Sequence, residues 1–232
     1  MKKLVIIPTY NEAENIIPLF KEIAEQEIKG LDILVVDDGS PDGTADLVAE
    51  YQQNNPQVHI LNRTKKEGLG RAYIAGFQWG LSQGYEAMIE MDADFSHRPK
   101  DLKKIATEIE STDVVIGSRY IDGGAVQNWT LFRKFISKGG SFYSTMVLWK
   151  PVKDWTGGFN AWTKEVLETI GLDKVQSDGY SFQIELKYRA LKSGFKVKEV
   201  PIVFEDRREG QSKMDSKIFL EALYRVWKIR FI

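Results

Sequence analysis

Short apolar runs that stop at acidic or turn-forming residues alternate with helix-periodic stretches through the first half of this chain, and that alternation constrains the fold more than any other feature. Leu4-Val5-Ile6-Ile7 is apolar throughout, as a strand covered on both faces must be, and Pro8-Thr9-Tyr10-Asn11 closes it. Ile16, Leu19, Phe20 and Ile23 then recur at helical spacing. Asn11 with Glu14 reads as a capping box for that helix, and Gly30 as the residue that breaks it. Ile33 to Val36, Val58 to Leu61, the run beginning at Met88 and Val114 to Gly117 read as four further strands. Thr44 to Gln53, Leu69 to Leu81 and Pro99 to Glu110 read as helices between them. Such a series demands an α/β architecture, a mostly parallel twisted sheet with helices on both faces joined by right-handed crossovers.

Ligands of such sheets bind outside the carboxyl ends of the strands. Asp37, Asp38, Asp92, Asp94 and Arg119 all fall at those ends, so charges scattered in sequence become one cluster in space. Met88-Ile89-Glu90-Met91-Asp92-Ala93-Asp94 is the sharpest case, an apolar run ending in two carboxylates one residue apart. Two hard oxygen ligands there suit a hydrated divalent cation and a diphosphate. Turn chemistry alone also places Asp after strands, so the convergence rather than the Asp-x-Asp carries this reading. Asp38 is placed to accept hydrogen bonds from a base or ribose, and Tyr10 to lie near a base. Glu90 reads as the partner of a buried Arg or Lys, and His97 as a hydrogen bonder rather than a ligand.

Composition narrows the chemistry. The 232 residues carry a net charge of -1, which gives no global attraction for nucleic acid. Cysteine is absent and His59 and His97 are the only histidines, so a bound metal must be oxygen-ligated, Mg2+ or Mn2+. The first strand is not followed by Gly-x-Gly-x-x-Gly, and Gly68-Leu69-Gly70 reads as a helix start. The N-terminal apolar run is too short for a signal peptide, and no segment is long and apolar enough to span a bilayer.

Beyond Arg119 the pattern loosens. Leu131 to Leu148 has helical periodicity with Arg133 and Lys134 near its start, where an anion would also feel the positive helix end. Tyr180 to Leu191 reads as a helix and Lys196 to Phe204 as a late strand. Glu205 to Lys213 reads as a charged loop, and Lys217 to Ile232 as a terminal amphipathic helix suited to a membrane surface or to packing on the domain. One domain over 1–232 is expected, with a nucleotide-binding half (1–120) and an acceptor-side half (121–232).

Val5 to Glu12, Val36-Asp37-Asp38-Gly39-Ser40-Pro41-Asp42-Gly43-Thr44, Met91 to Pro99 and Gly117-Ser118-Arg119-Tyr120 together resemble the inverting family-two glycosyltransferases of GT-A fold. Within them the likeness is greatest to dolichyl-phosphate and polyprenyl-phosphate mannose synthases. Asn128-Trp129, Thr156-Gly157-Gly158-Phe159 and Arg207 to Lys213 extend it. The resemblance implies that Pro8, Tyr10, Glu12, Val36 and Asp38 hold the guanosine of GDP-mannose. Asp92, Ala93 and Asp94 would hold the diphosphate and metal, with Asp94, Arg119 and Arg133 the catalytic set. Arg207 and Lys213 would close over the donor, while Arg119 and Arg133 bind the phosphate of a polyprenyl or dolichyl acceptor. Ser96 stands where some relatives place Gln, and Asp178 where a Lys is common. Many members continue into transmembrane helices while this sequence stops at Ile232, which implies a membrane-anchoring subunit or a transmembrane segment outside it. The implied location is peripheral, at the cytosolic face of a membrane. The alternatives are a UDP-glucose-dependent transferase to the same lipids and a nucleotide-binding scaffold without turnover.

Overall fold

A computed structural model describes residues 1–205 and 224–232. The strands are β1 (Lys3–Thr9), β2 (Leu31–Asp37), β3 (Val58–Asn62), β4 (Ala87–Glu90), β5 (Val114–Ser118), β6 (Ala125–Val126), β7 (Asn160–Thr163), β8 (Val197–Pro201) and β9 (Val203–Phe204). The helices are α1 (Ala13–Ala24), α2 (Thr44–Gln52), α3 (Leu69–Ser82), α4 (Pro99–Glu108), α5 (Leu131–Leu148), α6 (Lys164–Ile170) and α7 (Gly179–Lys192), with a further helical stretch at 224–230. Seven strands form one sheet in the order β3-β2-β1-β4-β7-β5-β8, and β6 pairs with β9 in a small second sheet.

Because successive side chains of a strand point to opposite faces, each apolar run feeds two cores. Leu4, Ile6, Leu34, Val36 and Met88 face α3, α6 and α7. Val5, Ile7, Val35 and Ile89 face α1, α2 and α4. The expected α/β sheet with helices on both faces is therefore present, and all its pairings are parallel except those of β7, which runs antiparallel between β4 and β5. Through β7 and β8 the segment after residue 120 enters the same sheet as the segment before it.

Three local readings are corrected. Asn11 does not cap α1: it sits at φ 62, and the cap residue is Glu12, which makes no side-chain cap bond. The first donors are satisfied instead from the loop after β2, as Asn11 N–H donates to Ser40 Oγ, Glu12 N–H to Thr44 Oγ1 and Ala13 N–H to Asp42 Oδ2, each at 3.0 Å. Gly30 does not end α1, which stops at Ala24. Gly30 turns the chain into β2 at φ +70, where an added Cβ would lie 2.9 Å from the Met1 carbonyl oxygen. The late strand is two, β8 in the main sheet and β9 in the small one.

The helix α3 lies close on the sheet through glycine. A Cβ at Gly76 would come 2.5 Å from Ile6 Cγ2 and 3.2 Å from Val36 Cγ2. Those methyls belong to branched side chains in a closed core and cannot swing away. Gly76→Ala is expected to cost ~1–3 kcal/mol of overpacking, more than the ~1 kcal/mol alanine returns in helix propensity. A lower urea midpoint at unchanged slope checks this.

Candidate active site

The strand order reverses at β1, from which β2 and β3 run one way and β4 the other, and in open α/β sheets that reversal marks the ligand crevice. A cleft of about 300 Å3 opens there. Pro8, Tyr10, Glu12 and Asp38 line one side, and Asp92, Ala93 and Asp94 the other. Of the residues expected at a donor, Val36 is the exception. Its side chain is wholly buried in the core against α3, which leaves only its backbone for a ligand. Arg207 and Lys213 lie outside the described residues. Lys66 also lines the cleft, its Nζ 3.8 Å from the centroid of the Tyr10 ring, and it went unnoticed in sequence because Lys65-Lys66-Glu67 looks like ordinary surface charge.

The four carboxylates at this edge differ in environment. Asp37 is a turn anchor, accepting from Thr9 Oγ1 (2.8 Å), from Gly39 and Ser40 N–H (3.0 and 2.8 Å) and from Ser40 Oγ (2.5 Å). Asp38 faces the cleft and pairs with Arg63 Nη1 at 2.8 Å. Burial raises its pKa, against the lowering pull of Arg63. Asp92 Oδ1 accepts from the fully buried Tyr73 hydroxyl at 3.1 Å, and Asp92 N–H donates to His97 Nδ1 at 3.0 Å. An accepting Nδ1 puts the ring proton of neutral His97 on Nε2, so His97 is a hydrogen bonder that fixes this loop. Burial, with Asp92 next, keeps the Tyr73 hydroxyl protonated far above its usual range. Asp94 Oδ1 accepts from Ser96 N–H at 3.0 Å, and between them Phe95 is held at φ 61, a costly conformation for a large side chain.

Among the described residues no group of three or more His, Cys, Asp and Glu side chains gathers to hold a metal. Asp92 and Asp94 offer hard oxygens into an open cleft, with the buried Ser96 Oγ, unpartnered among the described residues, close by in sequence. Two carboxylates, with water and phosphate oxygens completing the shell, suit Mg2+ or Mn2+, so the residues present fit such an ion.

Arg119 and Arg133 are brought together by one indole. The guanidinium of Arg119 lies 5.5 Å, and that of Arg133 4.1 Å, from the Trp129 ring centroid. Arg119 is buried and held by Asp154, Nε to Oδ2 and Nη2 to Oδ1 at 2.7 Å each, with Thr156 Oγ1 accepting from Nη2 at 2.9 Å. Arg133 lies in the first turn of α5, where Thr130 Oγ1 accepts its N–H. Asp154 was missed in sequence because Lys153-Asp154 resembles a surface turn. The signal available was its place just before Thr156-Gly157-Gly158, where Gly157 N–H donates to Asp154 Oδ1.

Among the described residues no cation hydrogen-bonds to Glu90, and the buried partner expected for it, here Lys187, acts on it only through its charge. It is fully buried and accepts from Asn160 Nδ2, Trp162 Nε1 and Gln183 Nε2, at 2.9, 3.2 and 2.9 Å. Burial raises its pKa to about 7 against those three donors. The buried cation nearby, Lys187, donates to the carbonyls of Asp154, Trp155 and Gly157 and so holds the turn that carries Asp154.

Solved structures share this fold. Glucosyl-3-phosphoglycerate synthase from Mycobacterium tuberculosis, in complex with Mn2+, UDP and phosphoglyceric acid, matches at TM-score 0.71 and 15% identity over 100% of this chain and 79% of that one. A mannosyltransferase from Pyrobaculum calidifontis, in complex with GDP-mannose and Mn2+, matches at TM-score 0.59 and 20% identity over 98% and 69%. The architecture and cleft are those of a GT-A glycosyltransferase. Residues 4–171 match glycosyl transferase family 2, and the chain belongs to that family. It is 48% identical to the polyprenol monophosphomannose synthase of Mycolicibacterium smegmatis, over 99% of this chain and 88% of that protein. It is 45% identical to the undecaprenyl-phosphate mannosyltransferase of Micrococcus luteus, over 97% and 93%.

Burial alone would raise the pKa of Asp154, but the Arg119 guanidinium overrides it and holds the carboxyl below its usual range. A depressed folded-state pKa means that the pair's stabilisation is present above about pH 4 and is lost as pH falls through the lowered value. Asp154→Asn is expected to lose ~3–5 kcal/mol at pH 7 by leaving Arg119 buried without its counter-charge. Its melting temperature should also fall less steeply below about pH 4 than that of the parent. Thermal unfolding across pH checks both.

Proposed function

We propose that this chain transfers mannose from GDP-mannose to a polyprenyl or dolichyl phosphate, with inversion, at the cytosolic face of a membrane. The observation that carries the reading is the pairing of an acidic cleft at the sheet reversal with two arginines meeting over Trp129. The relatives at 48% and 45% identity, named for polyprenol and undecaprenyl-phosphate mannosylation, support the same substrates.

In this reading Tyr10, Glu12 and Asp38, with Pro8 and the Val36 backbone, hold the guanosine. Asp92 and Asp94 hold Mg2+ or Mn2+ against the diphosphate beside Ala93. When bound, that ion supplies Lewis-acid stabilisation of the charge that grows on the leaving diphosphate. Lys66 adds a cation on the same side, and Arg207 and Lys213 complete the donor site. Arg119 and Arg133 orient the acceptor phosphate, whose oxygen attacks the anomeric carbon as the bond to the diphosphate breaks and GDP departs. A phosphate monoester is already anionic near pH 7, so no strong general base is required. Arg119, fixed by Asp154, spends little entropy in positioning the nucleophile.

Radiolabelled GDP-mannose with undecaprenyl or dolichyl phosphate should place mannose in the extracted lipid, and a chelator should abolish the transfer. Label reaching lipid only from UDP-glucose would exclude the mannose reading, and no label from either sugar nucleotide would exclude transfer to these lipids. Asp94→Ala should lower the rate at least about a hundredfold, since several kcal/mol of charge stabilisation is removed.

A further inference from the structure

The helix α5, which carries Arg133 in its first turn, has its polarity inside out. Its buried residues are Ser141, Ser144, Val147 and Leu148, and the inner side is engaged by hydroxyls: Ser137 Oγ accepts from Tyr120 at 2.7 Å and Ser141 Oγ from Trp155 N–H at 3.2 Å. Its large apolar residues face outward, with Leu131 84%, Phe132 74%, Phe135 78%, Phe142 66% and Met146 58% exposed, followed by Trp149 at 79%. At about 100° per residue these six fall within roughly a 100° arc of the helix. A surface helix ordinarily turns that arc inward, and a contiguous apolar patch turned outward marks an interaction site.

The charge around the arc identifies the partner. Neither α5 nor residues 224–232 contains a carboxylate, although the chain as a whole is balanced at -1. Lys134 and Lys138 flank the arc on one side. At its far end the 224–230 helix adds Arg225, Lys228 and Arg230 while burying Val226 and Ile229 and exposing Tyr224, Trp227 and the following Phe231. The two patches are continuous, because the Arg230 guanidinium lies 5.2 Å from the Trp149 ring centroid and donates to the Val147 carbonyl. Aromatic and aliphatic side chains on two segments whose charged side chains are all cationic suit the headgroup region of an anionic bilayer. No described helix is long and apolar enough to cross a membrane, so α5 would lie along one.

We infer that the outward face of α5 and the adjoining 224–232 segment form one docking surface for an anionic phospholipid bilayer, with α5 in the plane of the headgroups. The inference deepens the proposed lipid-phosphate reading by placing Arg133, at the start of α5, at the depth of lipid phosphates.

Vesicle co-sedimentation of the full chain tests it without sugar donor or acceptor, so an error in the assigned reaction does not affect the outcome. The protein should bind phosphatidylglycerol–phosphatidylcholine vesicles, bind phosphatidylcholine alone more weakly, and release from the mixed vesicles at high salt. Phe135→Ser, Phe142→Ser and Met146→Ser together should weaken binding at least about tenfold, given the apolar area withdrawn from the bilayer. The melting temperature should not fall, because these side chains are outside the core. Lys134→Gln with Lys138→Gln should cost roughly fivefold per lysine on the anionic vesicles alone. Absence of vesicle binding, or binding unchanged in the triple variant, overturns the inference. So does a concentration-dependent dimer, abolished by the triple variant, in a protein that ignores vesicles, for then a second copy covers the face.

Discussion

The carboxylate of Glu90 is the constraint around which the two parts of this fold are joined. A buried ionisable group needs donors on every lone pair it keeps, and Glu90 finds them on β7 (Asn160, Trp162) and on α7 (Gln183). Those donors exist only if an antiparallel strand enters beside β4 and a helix closes over it. The same contacts that satisfy Glu90 therefore fix β4, and with it the tip that presents Asp92 and Asp94 two and four residues later. Asn160 is shared further, donating also to the Gly157 carbonyl and to Gln183 Oε1. The tip of β4 and the Thr156-Gly157-Gly158 turn are in this way parts of one hydrogen-bonded cluster.

From that turn the order passes to Arg119. Lys187, wholly buried, holds the carbonyls of Asp154, Trp155 and Gly157, and Asp154 in turn fixes Arg119 through two side-chain bonds. Burial pushes the Lys187 pKa down while Asp154 and Glu90 pull it back up. Acid, base, acid and base thus alternate from Glu90 through Lys187 and Asp154 to Arg119, and no charge in the series is left buried alone. Two guanidiniums over one indole would otherwise repel, and Asp154 offsets one of them.

Much of this was legible in the sequence, and what was not has physical causes. The five strands of the first half announced themselves because parallel strands buried on both faces are continuously apolar. Asp38, Asp92 and Asp94 were readable as one cleft because strand ends converge, with Tyr10 placed beside them after β1, whereas Pro8, Glu12 and Ala93 came only through the family resemblance. β7 was not legible: Asn160-Ala161-Trp162-Thr163 is short, and its polar Asn serves a buried carboxylate rather than solvent. The cap of α1 was misread because the local Asn11 pattern loses to Asp42, Thr44 and Ser40 arriving from another loop. Val36 was expected at the donor, yet alternation along β2 turns its side chain to α3. The periodicity of Leu131 to Leu148 gave the helix but not its facing, since an apolar stripe is ordinarily turned to the core and here it is turned away.

Four carboxylates at one sheet edge would be self-repelling if they drew on a common pool of donors, and their partners come from different elements instead. Asp37 is absorbed by its own turn and by Thr9 of β1, Asp38 by Arg63 beyond β3, and Asp92 accepts from Tyr73 of α3. Asp94 accepts from Ser96 N–H in its own turn, and it lines the cleft together with Asp92. Two carboxylates there offer hard oxygens of the kind that suit a divalent cation, with Lys66 on the same cleft. Arg119 and Arg133 meet over Trp129, the first fixed by Asp154 and the second carried in the first turn of α5. The position of each charged side chain is therefore set by protein partners drawn from a different element.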